Sequence, residues 1–157
     1  MNCGKIKKAC FIASYGGHWE ELMCLREIAD AYDTFFVTEE GGQAEDSNLK
    51  KIYTLSQINR HEKRFFWHFF KLFKSALKIL KKEKPDFVIT TGALIAFPFC
   101  VFAKLRGTKI IYIESFARVN NQSLTGKLVY PFADLFLVQW EPLLKFYPKA
   151  KYVGGIF

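Results

Sequence analysis

Three short loops of this 157-residue chain carry residue types that could do chemistry at one place. They are Ser14-Tyr15-Gly16-Gly17-His18, Thr90-Thr91-Gly92 and Glu114-Ser115-Phe116-Ala117-Arg118. A histidine and a carboxylate at neighbouring strand ends can activate a hydroxyl, with the carboxylate orienting the imidazole. His18 and Glu114 are therefore the candidate catalytic pair. For Glu114 the plain alternative is a solvated acid at a strand end, paired with Arg118.

The first loop joins an apolar strand to a helix, and its two glycines permit a tight turn that a phosphate could approach closely. Ser14, Gly16 and Gly17 are candidate contacts of a pyrophosphate, together with Thr91, Gly92 and Arg118 from the other two loops. The fingerprint G-x-G-x-x-G is absent, which disfavours NAD or FAD. The alternative is that the glycines only make the turn and His18 only caps the helix.

Apolar strands alternate with amphipathic helices along the chain, which predicts an α/β fold with a Rossmann-like open parallel sheet. In such sheets the loops at the carboxyl ends of the strands bind ligands, and all three loops fall there. The predicted strands are Lys8–Ser14, Thr34–Thr38, Lys51–Leu55, Asp86–Thr91, Lys109–Glu114, Asp134–Val138 and Lys151–Val153. The predicted helices are His18–Ala31, His61–Lys82, Ala93–Arg106, Leu124–Ala133 and Pro142–Tyr147.

The composition of the chain indicates which kinds of partner, metal site and membrane segment to expect. Half of the residues are hydrophobic, and the net charge of +8 favours an acidic partner. The four cysteines form no CxxC pair, which favours reduced thiols over a zinc site or disulfides. The uncharged run Phe87–Ala103 contains Gly92 and Pro98, and it is interpreted as a strand, a turn and a short helix rather than a membrane span.

The stretch Arg60–Lys84 holds nine Lys or Arg residues and two Glu, which is +7 of the net charge. On a helical projection its apolar residues fill nearly half of the circumference, opposite a stripe of lysines. Such a helix is typical of one that lies on an anionic bilayer. The residues proposed to bind the membrane are Phe66, Trp67, Phe70, Lys71, Lys74 and Lys78. The alternatives are a core helix with solvated lysines and nucleic-acid binding, which no accompanying motif supports.

The three loops together resemble the signatures of a polysaccharide-biosynthesis family. Its members are the accessory halves of split glycosyltransferases. The resemblance rests on Phe11-Ile12-Ala13-Ser14-Tyr15-Gly16-Gly17-His18-Trp19-Glu20-Glu21-Leu22, on Thr90-Thr91-Gly92-Ala93 and on Ile113-Glu114-Ser115-Phe116-Ala117-Arg118-Val119, in that order. It covers essentially the whole chain. The family includes the membrane-recruiting subunit of the eukaryotic dolichol-linked GlcNAc transferase, and the lipid II-forming GlcNAc transferase is its single-chain relative.

The resemblance implies that residues 1–157 form a single domain, the acceptor-side, N-terminal half of a GT-B glycosyltransferase. A catalytic partner chain would bind the nucleotide-sugar, and the partner interface would include Gly154, Gly155 and Phe157. The acceptor would be a polyprenyl-pyrophosphate-linked saccharide for a cell-surface polysaccharide, with His18 as base and Glu114 as its partner or as a sugar ligand. No cofactor or metal is expected, in agreement with the absence of a D-x-D pair. The expected location is peripheral, at the cytoplasmic face of the plasma membrane.

Two other functions stay open on the sequence. One is a non-catalytic scaffold that recruits and stabilises the catalytic partner at the membrane. The other is a nucleotide-binding enzyme that acts without a partner.

Overall fold

The computed structural model describes residues 6–41, 49, 51–57 and 65–156. Seven strands lie in chain order at β1 Lys8–Ile12, β2 Asp33–Glu39, β3 Ile52–Leu55, β4 Phe87–Thr90, β5 Lys109–Ile113, β6 Leu135–Val138 and β7 Lys151–Tyr152. They form one sheet in the order β3-β2-β1-β4-β5-β6-β7, and every pairing is parallel. The predicted α/β, Rossmann-like parallel sheet is confirmed.

In the described part of the chain, five α-helices connect the strands: α1 Gly17–Met23, α2 Arg26–Asp30, α3 Phe65–Glu83, α4 Ala96–Leu105 and α5 Leu124–Val129. The single helix predicted over His18–Ala31 is wrong, because the chain turns at Cys24 and Leu25 and divides it into α1 and α2. The last predicted helix is a 3₁₀ helix over Glu141–Lys145. For the predicted helix His61–Lys82, residues 61–64 lie outside the described part.

The helices cover both faces of the sheet, as strands that are apolar on both sides require. On β1, Cys10 and Ile12 face the core formed with α3, α4 and α5, whereas Ala9, Phe11 and the following Ala13 face the core formed with α1 and α2. All five of these residues are fully buried. β1 is thereby fixed in register, because a shift by one residue would exchange the two faces.

Within the described residues, no helix is both long and apolar enough to cross a bilayer. The run Phe87–Ala103 divides into β4, a turn and most of α4, and α4 is largely buried. Cys10, Cys24 and Cys100 carry free thiols.

A buried carboxylate joins three elements at the amino edge of the sheet. Glu83, at the end of α3, accepts hydrogen bonds from Lys8 Nζ at 3.2 Å, Lys51 Nζ at 2.8 Å and the Tyr53 hydroxyl at 2.5 Å. These hydrogen bonds outweigh the effect of burial and lower the pKa of Glu83 from 4.5 to about 2. Glu83 therefore ties α3 to β1 and β3 in its ionised form.

We expect Glu83 to make part of the fold's stability dependent on pH. Because its pKa is depressed in the folded state, its contribution is complete above about pH 4.5 and is lost as the pH falls through about 2. Glu83→Gln should lower the free energy of unfolding by about 2–3 kcal/mol at pH 7 and by much less at pH 2. Urea unfolding across this range measures the effect.

Asp30→Asn is the matched control, since Asp30 is an exposed carboxylate whose ion pair with Arg26 lies within α2. It should leave the slope of stability against pH unchanged. An identical pH dependence in Glu83→Gln and the parent would contradict this role of Glu83.

Candidate functional site

The three loops singled out in the sequence follow β1, β4 and β5, which are adjacent in the sheet. The structure therefore brings them to one place at the carboxyl edge. Gly16 and Gly92 have positive φ angles of 85° and 109°, and both glycines lie at the turns that redirect the chain. Gly92 also permits a close approach, because a Cβ there would lie 2.9 Å from the Tyr112 hydroxyl. Ser14 is half-buried in the first turn.

His18 is held against Thr91 by two reciprocal hydrogen bonds. Its Nδ1 lies 2.9 Å from the Thr91 carbonyl oxygen, and the Thr91 hydroxyl donates to the His18 carbonyl oxygen at 2.7 Å. A carbonyl oxygen only accepts, so Nδ1 carries the proton in the neutral ring and Nε2 has a lone pair. About 30% of the side chain is exposed. Nε2 is thus the ring nitrogen of His18 that is free to accept a proton.

The predicted contact between His18 and Glu114 is absent from the described contacts, and the alternative of a solvated acid is wrong as well. Glu114 is completely buried. Its oxygens accept from the backbone N–H groups of Ser115 at 3.1 Å and Ser123 at 3.2 Å and from the Tyr147 hydroxyl at 2.6 Å. Burial and the adjacent carboxylate raise the pKa of Tyr147. Glu114 therefore fixes the loop after β5, and it does not orient the imidazole.

Arg118 is not paired with Glu114. Its guanidinium is exposed and donates to Asn121 Oδ1 at 3.3 Å. The residue lies in the loop after β5, at the carboxyl edge of the sheet.

The carboxylate beside His18 belongs to Glu21, which the sequence analysis did not select. Glu21 follows His18 by about one turn of α1, and its Oε2 lies 3.7 Å from His18 Nδ1. Glu21 Oε1 accepts from the Phe116 backbone N–H, from the Ser115 hydroxyl at 3.4 Å and from Gln139 Nε2 at 3.5 Å. The i, i+3 spacing of His18 and Glu21 is the signal that could have identified it.

A second acid missed by the sequence analysis is Glu39, at the end of β2. It is half-buried, and burial raises its pKa although a hydrogen bond from the Tyr15 backbone and the charge of His18 act in the opposite direction. Glu39 is thus a second acid whose charge interacts with that of His18. Among the described residues, no group of three or more His, Cys, Asp or Glu side chains is arranged to hold a metal ion.

The predicted membrane-binding residues share the exposed side of α3. Phe66 is 85% exposed, Trp67 59% and Phe70 53%, and the lysines at 71, 74 and 78 are exposed as well. Lys71 Nζ lies 5.7 Å from the Trp67 ring centroid and Lys74 Nζ 4.8 Å from that of Phe70. The buried side of α3 uses Leu72, Ala76, Ile79 and Leu80. The apolar residues of α3 therefore extend around the helix beyond the side that packs on the core.

The predicted partner interface lies beside the loop after β5. A Cβ at Gly155 would approach the Phe116 ring to 3.1 Å, and the Ile156 N–H donates to Gln139 Oε1 at 3.0 Å. Gly154 has a φ of 76°. Phe157 lies outside the described residues.

The family described as "Oligosaccharide biosynthesis protein Alg14 like" matches residues 9–156. A UDP-N-acetylglucosamine transferase subunit ALG14 from Mus musculus is 30% identical over 92% of this chain and 81% of its own length. The ALG14 subunit of Yarrowia lipolytica is 42% identical over 52% of this chain and 41% of its own length. The alignment with the latter therefore spans less than half of that relative.

Solved structures share the fold at low sequence identity. MurG from Acinetobacter baumannii superimposes with a TM-score of 0.76 at 18% identity, over 95% of this chain and 45% of that chain. A UDP-N-acetylglucosamine 2-epimerase from Rickettsia bellii gives 0.74 at 16% identity, over 97% of this chain and 46% of that chain. This chain thus corresponds to somewhat less than half of each of these proteins.

Glu114 and Tyr147, which are hydrogen-bonded to each other, fill the space beside Gly126. A larger residue at Gly126 therefore tests how rigidly this cluster is held. A Cβ at Gly126 would lie 2.3 Å from Glu114 Oε2 and 2.6 Å from the Tyr147 oxygen. We expect Gly126→Ala to destabilise the fold by about 2–3 kcal/mol, since neither group can move without losing hydrogen bonds. Thermal unfolding followed by circular dichroism measures this.

Gly17→Ala is the control, because a Cβ at Gly17 meets nothing within 4 Å. It should unfold at the parent temperature or above. Equal stability of Gly126→Ala and the parent would show that the cluster is not rigid.

Proposed function

The chain belongs to the Alg14-like family of oligosaccharide biosynthesis proteins, and we propose that it is the acceptor-binding subunit of a two-component glycosyltransferase. Its relatives are named as UDP-N-acetylglucosamine transferase subunits, which supports N-acetylglucosamine as the transferred sugar. A partner chain supplies the site for the nucleotide-sugar. The acceptor is a polyprenyl-pyrophosphate-linked saccharide. The names of these relatives refer to no capsule or exopolysaccharide, and the cell-surface destination of the saccharide stays a prediction.

The observation that carries this proposal is the orientation of His18. Its Nδ1 is engaged by the Thr91 carbonyl, so the lone pair of Nε2 is available at the open carboxyl edge. A base in that position can take the proton of an acceptor hydroxyl. The same edge is where ligands bind in open parallel sheets.

The proposed reaction is a single displacement with inversion at the anomeric carbon. The acceptor hydroxyl oxygen attacks that carbon while its proton passes to His18 Nε2. The bond from the anomeric carbon to the nucleotide phosphate breaks, and UDP leaves with the electron pair. No metal or cofactor of this chain takes part.

The acceptor pyrophosphate lies between the turns after β1 and β4. A Cβ added at Gly16 or Gly17 would meet nothing within 4 Å, so the surface beside that turn has room for a phosphate. Ser14 is half-buried beside this turn, and the exposed Arg118 supplies a positive charge from the loop after β5. Thr91 is fully buried and bonded to His18, so of the contacts predicted in the second loop it supports the histidine and does not reach the phosphate. In this arrangement the saccharide extends from the pyrophosphate toward Nε2 of His18.

The polyprenyl chain requires a bilayer, and the exposed side of α3 supplies the attachment. Exposed aromatic side chains next to lysines suit the boundary between lipid head groups and acyl chains. Each basic residue near an anionic surface contributes about 1 kcal/mol. We place the chain peripherally at the cytoplasmic face of the plasma membrane, with α3 against the lipid.

The role of His18 is tested in the reconstituted pair of subunits. His18→Ala should lower kcat about 10²–10⁴-fold, because the acceptor hydroxyl loses its base, while partner binding and membrane binding persist. Transfer from a panel of UDP-sugars to a polyprenyl-pyrophosphate-linked sugar is the measurement, with UDP-N-acetylglucosamine expected as the donor. The isolated chain should show little transfer.

Two outcomes would count against this function. Near-normal turnover of His18→Ala in the pair would leave only the scaffold function. Full transferase activity of the isolated chain would refute the division into two subunits.

The membrane role of α3 is tested by flotation on vesicles. The parent should bind strongly to anionic vesicles and weakly to neutral ones. Salt at 1 M should reduce binding without abolishing it, since it screens the lysines but does not weaken burial of the aromatic residues. Reversing Lys71, Lys74 and Lys78 to Glu should remove most of the binding without unfolding the chain.

The matched control reverses Lys127, Lys149 and Lys151 to Glu, three exposed lysines outside α3. This variant has the same net charge as the α3 variant and should still bind. If the parent stays with the soluble fraction on both vesicle types, α3 has no membrane role. The other segment expected from the sequence to contact the membrane, Ala93–Arg106, is largely buried and could not replace it.

A further inference from the structure

We propose that Glu21 is a positioning residue for His18, and that its Oε2 atom stabilises the imidazolium formed when His18 takes a proton. The proposal rests on the proposed function for the source of that proton, an acceptor hydroxyl. The contact between the two side chains does not depend on that function. Glu21 belongs to none of the site residues selected from the sequence.

The two oxygens of Glu21 have different surroundings. Oε1 accepts from the loop after β5 and from Gln139, and it thereby joins α1 to that loop. Oε2 is the one buried side-chain oxygen without a hydrogen bond among the residues that the structure describes. The residue is 2% exposed, so water does not solvate this oxygen freely. A buried carboxylate oxygen without a donor is destabilising, and its presence calls for a functional explanation.

That oxygen faces the ring of His18. Oε2 lies 3.7 Å from Nδ1, whose proton is donated to the Thr91 carbonyl. In the neutral ring the carboxylate gains little from this proximity. When Nε2 takes a proton the ring becomes positive, and the buried carboxylate is then an opposite charge at short range with little screening. Glu21 therefore stabilises the protonated ring of His18 more than the neutral ring.

Two other groups, the Thr91 carbonyl and Glu39, interact with the imidazole, but neither can stabilise its positive charge as Glu21 can. The Thr91 carbonyl fixes the tautomer but carries no full charge. Glu39 interacts with the charge of His18 from β2, but it is half-buried and is itself disfavoured as an anion by burial. Glu21 is the buried acid on the same helix as His18, and a backbone N–H and two side-chain donors hold its other oxygen in place.

Glu21→Gln separates the charge from the structural contacts. The amide oxygen can accept the same three hydrogen bonds as Oε1, and the amide nitrogen replaces Oε2 with a neutral group of equal size. Glu20→Gln is the matched control, because it makes the same change at the neighbouring, exposed position of α1. If Glu21 only holds the loop after β5 in place, both variants should behave as the parent does.

The first measurement is kinetic, in the reconstituted pair. Glu21→Gln should lower kcat about 10–100-fold, with KM within about twofold and with an unchanged melting temperature. The acidic limb of its profile of kcat/KM against pH should move to lower pH, because the ring loses its proton more readily without the facing carboxylate. Glu20→Gln should match the parent in every respect.

The second measurement uses the isolated chain and needs no transferase activity. The chain has three histidines, and His18→Ala identifies the ring signal of His18 by NMR. We expect that signal to titrate at lower pH in Glu21→Gln than in the parent and to be unchanged in Glu20→Gln. An inactive parent pair would refute the proposed function, and this titration would still test Glu21.

Identical titration and kcat in Glu21→Gln and the parent would overturn the proposal. If Glu21→Gln is destabilised, Glu21→Asp and Glu21→Asn replace it, since both shorten the side chain equally and differ only in charge. Titration of His18 at higher pH in Glu21→Asp than in Glu21→Asn supports the proposal. Equal titration in the two overturns it.

Discussion

Two buried carboxylates at the carboxyl edge of the sheet determine how the surrounding loops are arranged. An ionised carboxylate away from water must be matched by hydrogen-bond donors. Glu21 and Glu114 find theirs on the loop after β5, on Gln139 after β6, on the loop before α5 and on Tyr147 after the 3₁₀ helix. Segments far apart in the sequence are thereby joined, and His18 is set against this framework through Glu21 and Thr91.

The same topology places the start of α3, the helix proposed to contact lipid, and the candidate base at one end of the molecule. In a parallel sheet each helix begins near the carboxyl edge, where the preceding strand ends. Accordingly His68, Lys71 and Ser75 of α3 line a cavity with Glu40 and Ser56, which follow β2 and β3. Phe66, Trp67 and Phe70 lie on the first turns of this helix. A substrate anchored in a bilayer and a base on the protein would then face one another.

Sequence patterns predicted the architecture well, because apolar strands and helices repeat with clear periods and the three loops follow strands. The family resemblance is confirmed by the match over residues 9–156. The environments of individual acids could not be predicted, because they depend on distant partners. Glu21 meets Gln139, 118 positions later, and Glu114 meets Tyr147, 33 positions later. No local pattern distinguishes such a buried acid from a solvated one, and Glu114, expected as the partner of His18 or as a sugar ligand, is completely buried.

The ion pairs at the amino edge have a consequence for how this protein can change over evolutionary time. Glu83 with Lys8 and Lys51, and Asp134 with Lys109, connect the beginnings of strands and the end of α3. They lie at the opposite end of the sheet from the three loops. These ion pairs thus hold the strands in alignment at the amino edge, while residues in the turns at the carboxyl edge can vary. New specificities can arise in such a scaffold by exchange of loop residues, without each step eroding the fold that carries them.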